Sequence, residues 1–335
     1  VNIPPLLDDM AQIIGPDAKC REDKDESIIK VLKKRKACII KGNGVLTYGR
    51  SLDEAYVACL VLDKAAKCFI DTTVIGRYRK ISLLEAKLMH FVYNRKYSRL
   101  NQEMKSKDIA TDVSSEKTQY NYTEKEMELR QQIIDAGVRL VKSNLVQGTW
   151  GNISARLNDK NILITPTGLD YLTLKPEDLV VINLETLEAT GLYKPSGEKD
   201  IHIRLLKERP DINVVMHSHP QECSSLAAAR IDLPVMSAEM EKFVRGDAKA
   251  TYYALPSTKN LSKAVHIAMK GRNACLMANH GLLTVGATME DALETSRIME
   301  ESCKAFIDKL AAKNSTARGF AKKRKDIFKR AFHNN

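Results

Sequence analysis

The sequence predicts an α/β protein with a central mixed or antiparallel β-sheet flanked by helices, preceded by a partial copy of the same fold. Three observations support this. Strand-like and helix-like patterns mix without strict βαβ alternation, residues 44–55 resemble residues 281–292, and a polar, serine-rich stretch at 98–122 separates two parts. With 335 residues, the chain is long enough for about two domains.

The elements follow in chain order. In the first part, helices are expected at residues 25–34, 53–71 and 82–97, with a short strand at 37–40. In the second part, a capping box at Thr123 opens a helix to about residue 144. Strands are then expected at 153–157, 162–165, 179–183, 212–216 and 274–278, and helices at 198–208, 222–229, 261–269 and 289–312.

The repeat is incomplete. The glycine-led segment 44–55 parallels 281–292, and further upstream Pro4, Met10 and residues 17–19 parallel Pro234, Met240 and residues 247–249. The sequence therefore predicts a degenerate partial repeat at 1–110, a linker at 111–122 and a second domain at 123–335 with a basic C-terminal tail. Asn43 stands where the second copy has His280, and a neutral amide is a poor zinc ligand beside imidazole. We expect the first copy to pack on the second copy or on a neighbouring subunit and to contribute no metal ligand.

Histidines and one carboxylate form the candidate metal site. His217 and His219 end an apolar strand, and residues i and i+2 of a strand point to the same face. His280 follows another strand-like run, and Glu198 lies in a turn. Three imidazoles and a movable carboxylate suit a catalytic Zn²⁺ or another divalent metal. A His-x-His pair on a strand is as often structural or at the surface as metal-binding, so the metal prediction also depends on the neighbouring turns.

Three turns rich in glycine and small polar residues accompany the histidines, at 148–154, 164–168 and 196–197. Their backbone amides and hydroxyls suit a phosphate group. With these motifs in this order, residues 121–310 resemble the class II aldolase/adducin family, with the fuculose-phosphate aldolases as the nearest type. The resemblance implies a class II aldolase-like fold and a tetrameric homo-oligomer with sites near subunit boundaries.

The resemblance also implies roles for individual residues. His217, His219 and His280 match the zinc ligands. Glu198 matches the residue that ligates the resting metal and acts as catalytic acid/base. The positions that match the phosphate-binding turns are Gly151, Asn152, Ser154, Thr167, Gly168, Ser196 and Gly197.

Two departures from the family pattern affect the substrate end of the site. The usual serine pair before the acid is Ser196-Gly197 here, and the tyrosine expected beyond Pro234 is absent. Tyr252 or Tyr253 are candidates to replace it, as are Glu239 and Glu241. His202, four residues after Glu198, is favoured as a supporting histidine, and Trp150 as a packing anchor.

The resemblance implies a lyase that cleaves a ketose 1-phosphate of the fuculose, rhamnulose or ribulose phosphate type. Dihydroxyacetone phosphate and an aldehyde would form through a zinc-stabilised enediolate, while Glu198 moves a proton at carbon. Glutamate rather than aspartate at this position favours an aldolase. The alternatives are an epimerase or dehydratase of the same family, or a non-catalytic adducin-like interaction protein.

Composition and charge indicate the cellular compartment and the kind of ligand to expect. No apolar run of 18 residues is present, and Asp8 and Asp9 interrupt the short apolar start, against a signal peptide. Seven cysteines without CxxC spacing suggest reduced thiols and a cytoplasmic protein. The net charge of +11 arises partly from basic runs at 33–36, 77–80 and 322–330. We favour solvated helix surface over nucleic-acid binding for these runs, and expect a phosphorylated sugar as substrate.

Overall fold

A computed structural model of the chain describes residues 1–95, 122–147 and 150–313. The predicted linker at 111–122, apart from Tyr122, and the basic run at 322–330 lie outside the described residues. Among the described helices, none is long and apolar enough to cross a membrane.

A mixed eight-stranded sheet forms the centre of the α/β fold, as the sequence predicts. Its strand order is β7-β6-β5-β4-β8-β11-β10-β9. Neighbours are antiparallel except β9 and β10, which run parallel. The strands are β4 (Asn152–Arg156), β5 (Asn161–Ile164), β6 (Val180–Asn183), β7 (Ala189–Thr190), β8 (Val214–Ser218), β9 (Lys249–Ala250), β10 (Ala274–Met277) and β11 (Gly281–Gly286).

Helices cover both faces of this sheet. All five residues of β8 are buried, because Val215 packs into the core on one face while Val214 and Met216 pack into the core on the other. The helices of this part are α5 (Glu124–Lys142), α6 (Lys199–Glu208), α7 (Gln221–Ala229), α8 (Ala238–Val244), α9 (Lys259–Ala268) and α10 (Met289–Lys313), with a short 3₁₀ helix at Pro176–Asp178.

The N-terminal part has its own three-stranded sheet. It contains α1 (Asp8–Ile13), β1 (Lys19–Arg21), α2 (Asp25–Leu32), β2 (Ala37–Ile40), β3 (Gly44–Thr47), α3 (Leu52–Ile75) and α4 (residues 83–95). Strand β2 pairs in parallel with β1 and antiparallel with β3. The same order and pairing directions recur in α8-β9-α9-β10-β11-α10, and the bridge Ile3–Ala18 has a counterpart in Leu233–Ala248.

The N-terminal part packs directly on the larger one. Helix α3 lies against α7, where Lys67 pairs with Glu222 at 2.5 Å and Ser225 donates to Asp71 at 3.0 Å. The amide of Arg79 donates to the carbonyl of Ala228. This docking brings α1 to the turn between β10 and β11. The short α1 and α8 were not among the predicted helices, because six or seven residues carry too little periodicity to stand out.

Candidate metal centre

Two neighbouring strands bring the three predicted histidines together. His217 lies on β8, His219 follows that strand, and His280 lies in the turn that joins β10 to β11. Strands β8 and β11 are paired, so the end of β8 lies beside the turn that precedes β11. The Nε2 atom of His217 lies 2.8 Å from that of His219 and 3.0 Å from that of His280. The three buried side chains form a group that could hold a metal ion.

The opposite ring nitrogens explain why these Nε2 atoms face one another. His217 Nδ1 donates to the carbonyl of Leu282 at 2.9 Å. His280 Nδ1 lies 2.9 Å from Asp8 Oδ2, and His219 Nδ1 lies 3.7 Å from Asp9 Oδ2. Asp8 is within ion-pair distance of His280, whereas Asp9 lies further from His219, and neither Nδ1 meets hydrogen-bond geometry with its aspartate. A proton on each Nδ1 leaves each Nε2 lone pair available, so the donor set fits a divalent ion such as zinc.

Glu198 stands over the cluster at the N-cap of α6. Its two carboxylate oxygens lie 3.4 Å from His217 Nε2 and 3.3 Å from His280 Nε2. Asn152 Nδ2 donates to the carboxylate at 2.9 Å. Glu198 is therefore within reach of the same central point as the imidazoles. Among the described residues, Asn152 is the one amide that donates to its carboxylate, which would let the side chain move.

Burial and mutual charge set the protonation of the site. Burial would raise the pKa of Glu198, but the charges of His217 and His280 outweigh it and lower that pKa to about 2. Burial lowers the pKa of His217 to about 4 and that of His219 well below its ordinary value. For His280, burial also lowers the pKa, but Asp8 and Glu198 outweigh it and raise the pKa to about 9. Two imidazoles are thus ready ligands at pH 7, and His280 must release a proton when metal binds.

A buried hydrogen-bonded chain supports the acid. Asn152 Oδ1 bonds to His202 Nε2, and Ser154 Oγ bonds to His202 Nδ1 at 2.7 Å. Burial lowers the pKa of His202 to about 3, so this imidazole is neutral. His202 therefore orients Asn152, which in turn holds Glu198. This agrees with a supporting rather than a ligating role for His202.

An open cavity is lined in part by two of the candidate metal ligands, His219 and His280. Trp150, one of its walls, contacts the His219 ring edge-on with centroids 5.4 Å apart and stacks on Tyr93 of α4. The cavity is lined by Gln12, Trp150, Gly151, Asn152, Pro166, Thr167, Gly168, Ser196, Gly197, Glu198, His219, Pro256, Ser257 and His280. Six of the seven residues expected to bind phosphate are in this lining.

Ser154 is the exception among those seven residues, because it is fully buried and bonded to His202. The first two residues of its predicted turn, 148 and 149, lie outside the described part of the chain. The amides of Thr167 and Ser196 already donate to the carbonyls of Lys194 and Thr165. Within the described residues, no acceptor is assigned to the amides of Gly168 and Gly197, which leaves them for an anion.

The structure does not bring the alternative proton donors to this cavity. Glu239 is exposed and pairs with Arg297 at 3.1 Å, and Glu241 is exposed on the same helix. Tyr252 is exposed and donates to the carbonyl of Asn260. Tyr253 has a buried hydroxyl beside Arg230 but does not line the cavity.

The site contains N-terminal residues that the sequence analysis did not assign to it. Gln12 lines the cavity, and Asp8 and Asp9 contact two of the histidines. A signal was present, since two adjacent acids inside the apolar segment 3–14 become buried charges if that segment folds into a core.

Comparisons with known proteins agree with this geometry. A sequence model described as "Class II Aldolase and Adducin N-terminal domain" matches residues 2–70 and 131–307. A 5-methylthioribulose-1-phosphate/5-deoxyribulose-1-phosphate aldolase of Rhodospirillum rubrum is 36% identical over 178 residues, which are 53% of this chain and 80% of that protein. An L-fuculose phosphate aldolase of Escherichia coli K12 is 32% identical over 183 residues, which are 55% of this chain and 84% of the relative.

More distant similarities include an L-ribulose-5-phosphate 4-epimerase of Salmonella paratyphi B. It is 27% identical and covers 52% of this chain and 81% of the relative. Among solved structures, an L-fuculose 1-phosphate aldolase aligns with a TM-score of 0.51 and 29% identity, over 56% of this chain and 95% of that structure. These proteins align with little more than half of the chain described above.

Proposed function

Since this chain belongs to the class II aldolase and adducin family, we propose that it is a metal-dependent aldolase that cleaves a ketose 1-phosphate into dihydroxyacetone phosphate and an aldehyde. One observation carries the proposal. Three buried imidazoles and Glu198 converge beside a cavity that Glu198, His219 and His280 line together with the turns 166–168 and 196–197. These observations support a site in which metal-activated carbonyl chemistry and a phosphate anchor would be combined in one pocket.

The metal would be held by His217, His219 and His280. When bound, it supplies a Lewis acid that stabilises negative charge on the substrate oxygens during carbon–carbon cleavage. The intact, buried donor set favours an enzyme over a purely structural member of the family, because three buried imidazoles aimed at one point are costly without a ligand.

The phosphate would bind at the turns 166–168 and 196–197, which line the same cavity as His219 and His280. Gly168, Gly197 and Thr167 line the cavity, and the two glycine amides would donate to the phosphate. Helix α6 begins at Lys199, two residues after Gly197. The positive end of a helix dipole favours an anion there. A phosphate held at these turns would orient the reacting carbons relative to the histidines.

Glu198 would move the proton. In the cleavage direction the hydroxyl proton on C4 is lost, the C3–C4 bond breaks, and its electron pair stays on C3 beside the carbonyl. A proton then returns to C3 to complete dihydroxyacetone phosphate. The lowered pKa of Glu198 keeps it ionised, so it can accept a proton and pass it on at carbon.

A coupled assay for dihydroxyacetone phosphate, run on zinc-loaded protein over a panel of ketose 1-phosphates, tests the proposal. We expect cleavage of at least one sugar, and a loss of roughly 10²–10⁴-fold in kcat for Glu198→Gln. Glu208→Gln, an exposed change at the other end of α6, is the matched control. No cleavage of any panel member by metal-loaded protein would contradict the proposal.

An epimerase is the second candidate, because the Salmonella relative is a pentose-phosphate epimerase by name. Conversion of a ketose phosphate to its epimer without release of dihydroxyacetone phosphate would favour it. The dehydratase and the adducin-like interaction protein would be recognised by loss of water from the sugar and by absence of turnover, respectively.

A further inference from the structure

Helix α1 of the N-terminal part places two acids behind the metal ligands. Asp8 and Asp9 are 1% and 2% exposed. Asp8 Oδ2 lies 2.9 Å from His280 Nδ1, and Asp9 Oδ2 lies 3.7 Å from His219 Nδ1. These residues are separated from the histidines by more than 200 positions, so only the docking of the N-terminal part brings them together.

The two acids have different supports. Asp9 also pairs with the buried Lys64 at 2.8 Å, so part of its burial is explained without the histidine. Within the described residues, Asp8 forms no ion pair with a lysine or arginine, and neither of its oxygens meets hydrogen-bond geometry. An isolated buried carboxylate is costly. The closest compensating group for Asp8 is the imidazole of His280.

The related helix α8 shows that the fold does not require acids here. Both helices follow a proline, at Pro4 and Pro234, and both bury a methionine at their third position, Met10 and Met240. Counted from these landmarks, Ala238 and Glu239 stand where α1 has its two aspartates, and Glu239 is exposed at the surface. The acids are therefore a property of α1 at the site and not of the helix type.

We propose that Asp8 and Asp9 are positioning residues of the metal centre, which hold the Nδ1 sides of His280 and His219 so that both Nε2 atoms face the metal. Gln12 on the same helix lines the cavity, so the N-terminal part contributes residues to the site. This inference rests on the metal site of the proposed function. A carboxylate behind a ligating histidine fixes its orientation and raises its basicity.

Zinc affinity of the whole chain, measured by competition with a chelating indicator, tests the inference. We expect Asp8→Ala to weaken zinc binding by roughly 10–100-fold. Asp8→Asn keeps an acceptor but loses the charge, so its loss should be smaller. Glu239→Gln is the matched control on α8 and should bind zinc as the unaltered chain does.

Asp9 needs a paired design, because Asp9→Asn alone leaves the buried Lys64 without its partner. The double variant Asp9→Asn/Lys64→Met removes both charges together and should still weaken zinc binding by roughly tenfold or more. Circular dichroism and thermal unfolding of the metal-free proteins show whether each variant folds. If Asp8→Ala does not fold, the isosteric Asp8→Asn carries the test.

The NMR signal of the His280 imidazole provides a second readout that a merely structural role would not move. In zinc-loaded, ¹⁵N-histidine-labelled protein, Asp8→Asn should shift the Nδ1–H resonance of His280 while the backbone spectrum stays unchanged. Folded variants with unaltered zinc affinity and unaltered imidazole signals would overturn the inference alone. Failure of the unaltered chain to bind zinc would instead overturn both the inference and the metal site on which it rests.

Discussion

Asn279 links the N-terminal part to the metal site, and its replacement by alanine should destabilise both. The side chain is fully buried. Its Nδ2 donates to the carbonyls of Leu6 at 2.8 Å and Arg79 at 2.7 Å, and its Oδ1 accepts from Arg230 Nε at 2.9 Å. Its own carbonyl accepts from the amide of Asp8, and the next residue is the ligand His280.

The magnitude follows from these contacts. Asn279→Ala leaves two carbonyls without their donor, at about 1–3 kcal/mol each. The guanidinium of Arg230 is only partly buried and can rehydrate, so we assign it little cost. Asn279 has a φ of 58°, and holding alanine there adds about 1–2 kcal/mol. The free energy of unfolding should therefore fall by about 3–8 kcal/mol.

Asn279→Gly separates the two causes. It loses the same three hydrogen bonds, but glycine adopts a positive φ without steric cost. Its free energy of unfolding should therefore lie about 1 kcal/mol above that of Asn279→Ala. Asn43→Ala is the control, since Asn43 is exposed and its side chain bonds only to Asp23 among the described residues. It should stay within about 0.5 kcal/mol of the unaltered chain.

Urea unfolding followed by circular dichroism measures these differences, with limited proteolysis reporting early release of residues 1–95. We expect the proteolytic release to be faster in both Asn279 variants than in Asn43→Ala. A loss below about 1 kcal/mol for Asn279→Ala would refute the reasoning. So would a glycine variant that is less stable than the alanine variant, because the φ argument requires the opposite order.

Three further predictions concern the site and the pH dependence. In Gly281→Ala, the new Cβ would lie 2.5 Å from the carbonyl oxygen of Ser218, so β11 must move away from β8. The free energy of unfolding should fall by about 1–3 kcal/mol. Zinc affinity, measured by indicator competition, should also fall. Zinc at about 100 times its Kd should raise the free energy of unfolding by about 2.7 kcal/mol, and a chelator should abolish the gain in a thermal melt. Burial would raise the pKa of Glu54, but hydrogen bonds from Arg50 and Lys36 lower it from 4.5 to about 2. Because this pKa is depressed in the fold, its stabilisation is present above pH 4.5 and is lost as pH falls towards 2, so acid titration of Glu54→Gln should show a shallower loss of stability over that window.

Local patterns were sufficient for much of the fold. The strands at 153–157, 162–165 and 212–216 and the long helix at 289–312 were predicted close to their observed bounds, because each buries a regular apolar face. The helix at 53–71 extends to Ile75, where Gly76 ends it with a positive φ. Short elements such as β9 and α8 were missed, since two to seven residues carry no measurable period.

The grouping of the candidate metal ligands could also be predicted from the sequence. Alternation along β8 places His217 and His219 on one side, and the motif order added His280 and Glu198. The role of His202 followed from its position one helical turn after the acid. The expected tetramer and the substrate stay predictions, because the similar proteins align with only about half of the chain and the sequence departs from the family pattern at Gly197 and beyond Pro234.

The sequence alone thus predicted the chemistry that we propose for the site: which side chains would bind metal, which turns suit a phosphate and which acid would move a proton. Only the tertiary structure decided that the N-terminal part belongs to that site. The contacts of Asp8 with His280 and of Asp9 with His219 depend on how α3 docks on α7 and on the hydrogen bonds of Asn279. These contacts join residues more than 200 positions apart through side-chain packing. Contacts between residues so distant in sequence produce no periodic pattern or fixed spacing from which they could be predicted.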